Sequence, residues 1–171
     1  MATLHRPTGY STAQVALHWT IAVLVILQLI IGEDIVPAYR AFRRGTEISA
    51  DALFDANIHV YVGIAVLVLA LARLGLRLWR GVPAYPEGGS KAQRIVAGTV
   101  HGLLYVAILG MPVTGALAWF LGVGAAGEVH ELAKPVIIAA VVLHTAGALW
   151  QHFYARTDVL TRMLRPQRSR A

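Results

Sequence analysis

Residues 129–150 read VHELAKPVIIAAVVLHTAGALW, an apolar segment that carries two histidines, His130 and His144. On an α-helix these two stand about 21 Å apart along the axis and about 40° apart around it. They therefore look out of one face at two depths. A hydrocarbon core about 30 Å thick has room for two such levels, one toward each surface.

The segment belongs to one of four long apolar runs, at residues 15–31, 58–79, 95–121 and 129–154. Each is long enough to span a bilayer as a helix, and each is too continuous for the alternating strands of a barrel. A mean hydropathy of +0.60 agrees with an integral membrane protein, in which backbone polar groups are satisfied within helices. No small-residue cleavage site of the A-x-A kind follows the first run, so it reads as a retained helix and not a signal peptide. The expectation is an all-α integral membrane protein: one domain over residues 1–171, a four-transmembrane-helix bundle with helices at about 12–32, 56–79, 92–121 and 127–156.

The net charge of +6 raises nucleic acid as a partner, but its distribution argues for topology instead. With four spans both termini share a side. That side holds Arg6, Arg73, Arg77, Arg80, Lys91, Arg94, Arg156, Arg162, Arg165, Arg168 and Arg170, whereas Arg40, Arg43, Arg44 and Lys134 fall on the other with most of the acids. The positive-inside rule then places both termini in the cytoplasm. The tail from residue 156 is basic and amphipathic at its start, which suits a position at that surface.

Ser11 with Gln14 and Ser90 with Gln93 form S-x-x-Q patterns ahead of the first and third runs, the signature of a capping box. Pro112 lies within the third span between Gly110 and Gly115, where close packing of a neighbour or a flat cofactor is expected. The connector at about residues 33–57 carries mixed charge, and DALFDANIH at its end reads as the first turns of the second span. The outer turn LGVGAAGE between the third and fourth spans is short.

By depth the histidines of the spans sort into two groups. His59 and His130 lie toward the outer surface; His18, His101, His144 and His152 lie toward the cytoplasm. Ionisable groups inside a membrane are costly and mark ligands or pathways. The chain has no cysteine, which excludes disulfides, thiolate metal sites and covalent c-type haem. Haem held by histidine and packing alone is b-type, and two bis-histidine haems stacked across the membrane would relay electrons through it. His59 has His130 as its partner on this reading. His144 has two candidates, His18 and His101, between which spacing does not choose.

Other residues acquire candidate roles from their positions. Arg73 and Arg77, at the apolar end of the second span, suit haem propionates or a quinone carbonyl, against the alternative of snorkelling topology markers. His101 and His152 suit proton exchange with a quinone, against interfacial hydrogen bonding. Gly63 and Gly147 clear space for a porphyrin or for ordinary helix packing. No carboxylate lies deep in a span, which argues against a carboxylate proton relay.

The stretches YSTAQVALHWT, NIHVYVGIAVLVLALARLGLRL, HGLLYVAILGMPVTG and VVLHTAGALWQHFYARTDVLTRML together resemble the prokaryotic cytochrome b561 family over nearly the whole chain. The resemblance implies a four-helix cytochrome b of the bacterial inner membrane with two haem b. Its metal ligands would be His18 with His144 for the inner haem and His59 with His130 for the outer one. It further implies exchange of single electrons between an external partner, superoxide in some relatives, and membrane ubiquinone. The short outer turn departs from the family and argues against a large outer cap. Two other readings compete: a haem-bearing membrane anchor subunit of a larger dehydrogenase or hydrogenase, which would bring a soluble redox partner, and a histidine-based metal or proton transporter without haem.

Overall fold

The computed structural model describes residues 7–86 and 90–167. Arg6, Arg168 and Arg170 of the basic side, and part of the loop before the third span, lie outside the described residues. Six helices follow in order: α1 (Thr12–Ile31), α2 (Val36–Arg44), α3 (Ala50–Arg80), α4 (Lys91–Leu121), α5 (Gly124–Phe153) and α6 (Val159–Leu164). Of these, α1, α3, α4 and α5 are long and apolar enough to cross a membrane. The described residues contain no strand.

Local chemistry sets the helix ends. Ser11 and Ser90 accept from the backbone N–H of Gln14 and Gln93, whose side chains accept in return from the serine N–H, so both capping boxes form. Ser49 caps α3 through the N–H of Ala52, which starts that helix well before the apolar run. His59 consequently lies nine residues inside α3, about 14 Å from its start. At 31 residues α3 is about 46 Å long, more than a hydrocarbon core, so its ends project beyond the apolar layer.

Contacts between ends give an up-down-up-down bundle. At the terminal end Gln14 Nε2 donates to the Gly81 carbonyl (3.1 Å), and Arg73 Nη1 donates to the Gln14 carbonyl (2.7 Å). There too Trp19 Nε1 donates to Met163 of α6 (2.8 Å), and the N–H of Gln167 donates to Tyr10 (2.8 Å), which straps the tail beneath α1. At the far end Lys134 of α5 pairs with Glu33 just beyond α1. That hydrogen bond, with the lysine's charge, holds the Glu33 carboxyl below the usual carboxylate range.

The connector after α1 is structured. Pro37 sits in the first turn of α2, and Gly45 ends the helix with φ +63°, its N–H bonded to Phe42 and that of Thr46 to Ala41. Helix α2 lies over the turn between α4 and α5: Phe42 packs on Trp119 with ring centroids 5.8 Å apart, and Arg43 donates to the Gly122 carbonyl at 3.3 Å. Gly124 leaves room for the Arg43 side chain, since a Cβ there would stand 2.7 Å from the guanidinium nitrogens and push them aside. A small outer cap therefore exists, supplied by the connector after α1 and not by the turn LGVGAAGE.

The packed core is a waist. Ile21, Val25, Val66, Ala70, Ala107 and Ile137 form the buried cluster. Ile137 lies midway between His130 and His144 in sequence, so the waist separates two histidine levels. Large apolar residues such as Ile30, Val68 and Val106 point outward, as hydrocarbon allows.

Gln14 is 4 % exposed and ties two helices, whereas Gln93 makes the same capping box without an inter-helix bond. Gln14→Ala should cost about 1–3 kcal/mol, since it removes the cap and leaves the Gly81 carbonyl short of a donor. Gln93→Ala should cost about 1 kcal/mol or less. Thermal unfolding of the two variants in one detergent compares them; equal losses would reduce Gln14 to a cap.

Candidate functional site

Each histidine level is assembled from three or four helices. At the far level His59 of α3 faces His130 of α5, with ring centroids 6.1 Å apart and planes at 71°. At the terminal level His18 of α1 faces His144 of α5, at 6.0 Å and 70°. His101 of α4 also meets His144, but closer, with centroids 4.9 Å apart in an edge contact. His152 contacts only the ring of its neighbour Phe153 among the described ring pairs, two turns below His144.

Hydrogen bonding defines ring nitrogens at two of these positions. His130 Nδ1 lies 2.7 Å from the Met111 carbonyl. A carbonyl only accepts, so Nδ1 carries the proton and Nε2 keeps its lone pair. The close approach needs Gly115, where a Cβ would stand 3.1 Å from both Cε1 and Nδ1 of His130. Thr114, on the same turn, donates to the Gly110 and Met111 carbonyls. His101 Nδ1 similarly reaches the Ala97 carbonyl of its own helix at 2.6 Å, leaving its Nε2 available.

Around the terminal pair the chain is cationic. Arg73 acts electrostatically on both His18 and His144 while holding the Gln14 carbonyl. Arg77 lies over the Tyr105 ring, 5.8 Å from its centroid. Tyr10, Gln14, Arg73, Arg77 and Tyr105 line a cleft of about 10 Å³, room for a single water at most. At the far level His59 feels two opposing charges, Asp34 and Lys134.

The donor set points to a particular kind of metal group. A bare ion in an apolar bundle needs several protein ligands, and among the described residues no cluster of three or more His, Cys, Asp or Glu side chains is arranged to hold one. A pair of imidazoles suits a metal whose equatorial positions a macrocycle already fills. An imidazole nitrogen sits about 2 Å from the metal it ligates, so two rings on opposite sides of one metal have centroids about 6 Å apart. Both the far pair and the His18–His144 pair meet that spacing.

The model of the family described as prokaryotic cytochrome b561 matches residues 9–166. The chain belongs to this family. It is also 38 % identical over 159 residues to a protein of Cereibacter sphaeroides named cytochrome b562, an alignment that covers 93 % of this chain and 97 % of that one. It is thus a multi-pass membrane cytochrome b, a haem-binding protein of electron transport. Haem b supplies reversible one-electron chemistry at its iron.

Other expected residues take definite places. Of the two glycines flanking Pro112, Gly115 receives a histidine ring, whereas at Gly110 a Cβ would meet no atom within 4 Å. At Gly63 a Cβ would stand 3.1 Å from Gln28 Nε2, so that space faces the α1 amide. At Gly147 a Cβ would meet no atom within 4 Å. Sequence reading passed over Gln28 and the Met111 carbonyl. A lone amide within VLVILQLII was the available signal for the first; a backbone carbonyl has none.

Because the chain has no cysteine, all of its haem should leave the polypeptide on acid–acetone extraction, and the pyridine haemochrome of the extract should be that of haem b. Colour retained on the precipitated protein would contradict noncovalent binding.

Proposed function

We propose that this cytochrome holds two haem b groups, one on His59 and His130 and one on His18 and His144, and exchanges single electrons between a redox partner outside the membrane and ubiquinone within it. The observation that carries this reading is the near identity of the two pairs: 6.1 Å and 71° at one level, 6.0 Å and 70° at the other. His101 stands too near His144 to leave a metal between them, which favours His18 as the partner of His144. Fourteen residues of α5 separate the levels by about 21 Å, and porphyrin edges approach much more closely than that.

The positive-inside rule supports placing both termini, α6 and the arginine-rich end in the cytoplasm of a bacterial inner membrane. Arg73 and Arg77, on the terminal side of this level, would supply the cations that haem carboxylate side arms require. His101, an exposed residue whose Nδ1 is engaged by the Ala97 carbonyl, keeps Nε2 to exchange a proton with a quinone. His152 offers a second imidazole nearer the cytoplasmic surface. On the outer face Arg43 is engaged with the Gly122 carbonyl, so attraction of an anionic donor such as superoxide falls to Arg40 and Arg44.

Charge also supports a direction. Arg73 lies beside the terminal level and favours its electron-rich state, whereas Asp34 and Lys134, of opposite sign, lie near the far level; this supports flow from the outer side toward the cytoplasmic side.

A pyridine haemochrome count per chain tests the assignment. Wild type should carry two haems, each of His18→Ala, His59→Ala, His130→Ala and His144→Ala one fewer, and His101→Ala both. Rapid reduction of the purified protein by ubiquinol, or of ubiquinone by the reduced protein, should accompany this; a single haem in wild type, or inertness toward quinone, would overturn the corresponding half.

Arg73→Gln should lower the midpoint potential of the terminal-level haem by about 59 mV, a tenfold change in its reduction equilibrium. Arg73→Lys, which keeps the charge, should leave it near wild type. A spectroelectrochemical titration that finds the two variants alike would show that the arginine acts through packing.

A further inference from the structure

We propose that Gln28 is a positioning residue for His59, accepting a hydrogen bond from its Nδ1–H and thereby fixing the ring tautomer and tuning the far-level haem. The proposal rests on the reading of His59 as a haem ligand. Gln28 sits in the middle of an apolar stretch of α1, where an amide is costly unless it is hydrogen-bonded. Its Nε2 donates to the His59 carbonyl at 2.9 Å, so the amide is already anchored on the residue it would serve.

Two buried side-chain atoms are left unpaired there, and they are complementary. Among the described residues Gln28 Oε1 is an acceptor without a donor, and His59 Nδ1 is a ring nitrogen without a partner. The terminal torsion of glutamine is soft, so the amide can adjust toward the ring of the residue whose carbonyl it already holds. The amide then clasps His59 twice, donating to its carbonyl and accepting from its ring. Gly63, one turn further along α3, permits the approach: any side chain would crowd Nε2, since a Cβ would stand at 3.1 Å.

The partner across the level has the same arrangement by another route. His130 gives its Nδ1–H to the Met111 carbonyl, which leaves Nε2 bare. With Gln28 serving His59, both rings present Nε2 inward and Nδ1–H outward to a neutral oxygen. An acceptor behind an imidazole fixes its orientation and raises its basicity, which favours the oxidised metal.

The test uses the detergent-purified holoprotein, the pyridine haemochrome count and a redox titration. His59→Ala first identifies the far-level component as the one it removes. Gln28→Leu should raise the midpoint of that component by about 59 mV, a tenfold shift in its reduction equilibrium. Gln28→Glu, which keeps an oxygen in the same place, should hold it at or below the wild-type value. The terminal-level component should be unmoved in both. If His59→Ala retains both haems, the ligand reading falls and takes this proposal with it. If His59→Ala loses one haem while Gln28→Leu leaves the far-level midpoint in place, or Leu and Glu raise it alike, the role of Gln28 alone is overturned. Should Gln28→Leu fail to assemble, Gln28→Met replaces it under the same criteria.

Discussion

The register of one helix governs the arrangement of this protein. An α-helix returns to nearly the same face after fourteen residues, about 40° short of it. Through this property α5 presents His130 and His144 to the bundle interior at two depths, with Ile137 halfway between them in the buried waist. The other helices adjust to that ruler. His59 meets the upper position from α3 and His18 the lower one from α1. Small residues at the waist, Ala70 and Ala107, let the helices close there.

Each level then needs polar support that an apolar bundle does not readily supply. At the far level the support is neutral and comes from backbone or amide groups. The Met111 carbonyl takes the His130 proton, and Gly115 removes the side chain that would block it. At the terminal level the support is charged: Arg73 of α3 holds the Gln14 carbonyl beside His18 and His144, and Arg77, one turn on, lies over the Tyr105 ring.

Much of this was legible in the sequence because the bilayer constrains it so strongly. Apolar runs of spanning length leave few alternatives to helices, and Ser11–Gln14 and Ser90–Gln93 mark two helix starts by local chemistry alone. Helix α2 was missed although its nine residues are strongly amphipathic and bounded by Pro37 and Gly45, because so short a segment inside a charged connector reads equally as a loop. Its existence depends on tertiary seating, with Phe42 on Trp119 and Arg43 over Gly124, residues some 80 positions away. The choice between His18 and His101 was also closed to sequence. Both lie at the right depth and both meet His144 edge to face, and only the rotation of α1 and α4 about their axes distinguishes a 6.0 Å pair from a 4.9 Å one.

That rotation is itself held from the terminal end. Gln14 lies one turn before His18 on α1, and both its side chain and its carbonyl are bonded to α3, to Gly81 and Arg73 respectively. Trp19, next to His18, is fixed by Met163 of α6. The facing direction of the His18 ring therefore depends on contacts made by its neighbours in sequence and not on the ring itself. Arg73 links the two requirements of this level, since the same guanidinium that fixes the backbone of α1 also supplies positive charge beside His18 and His144. Geometry and electrostatics at the terminal level are thus coupled through one side chain, whereas at the far level ring support and charge come from different residues.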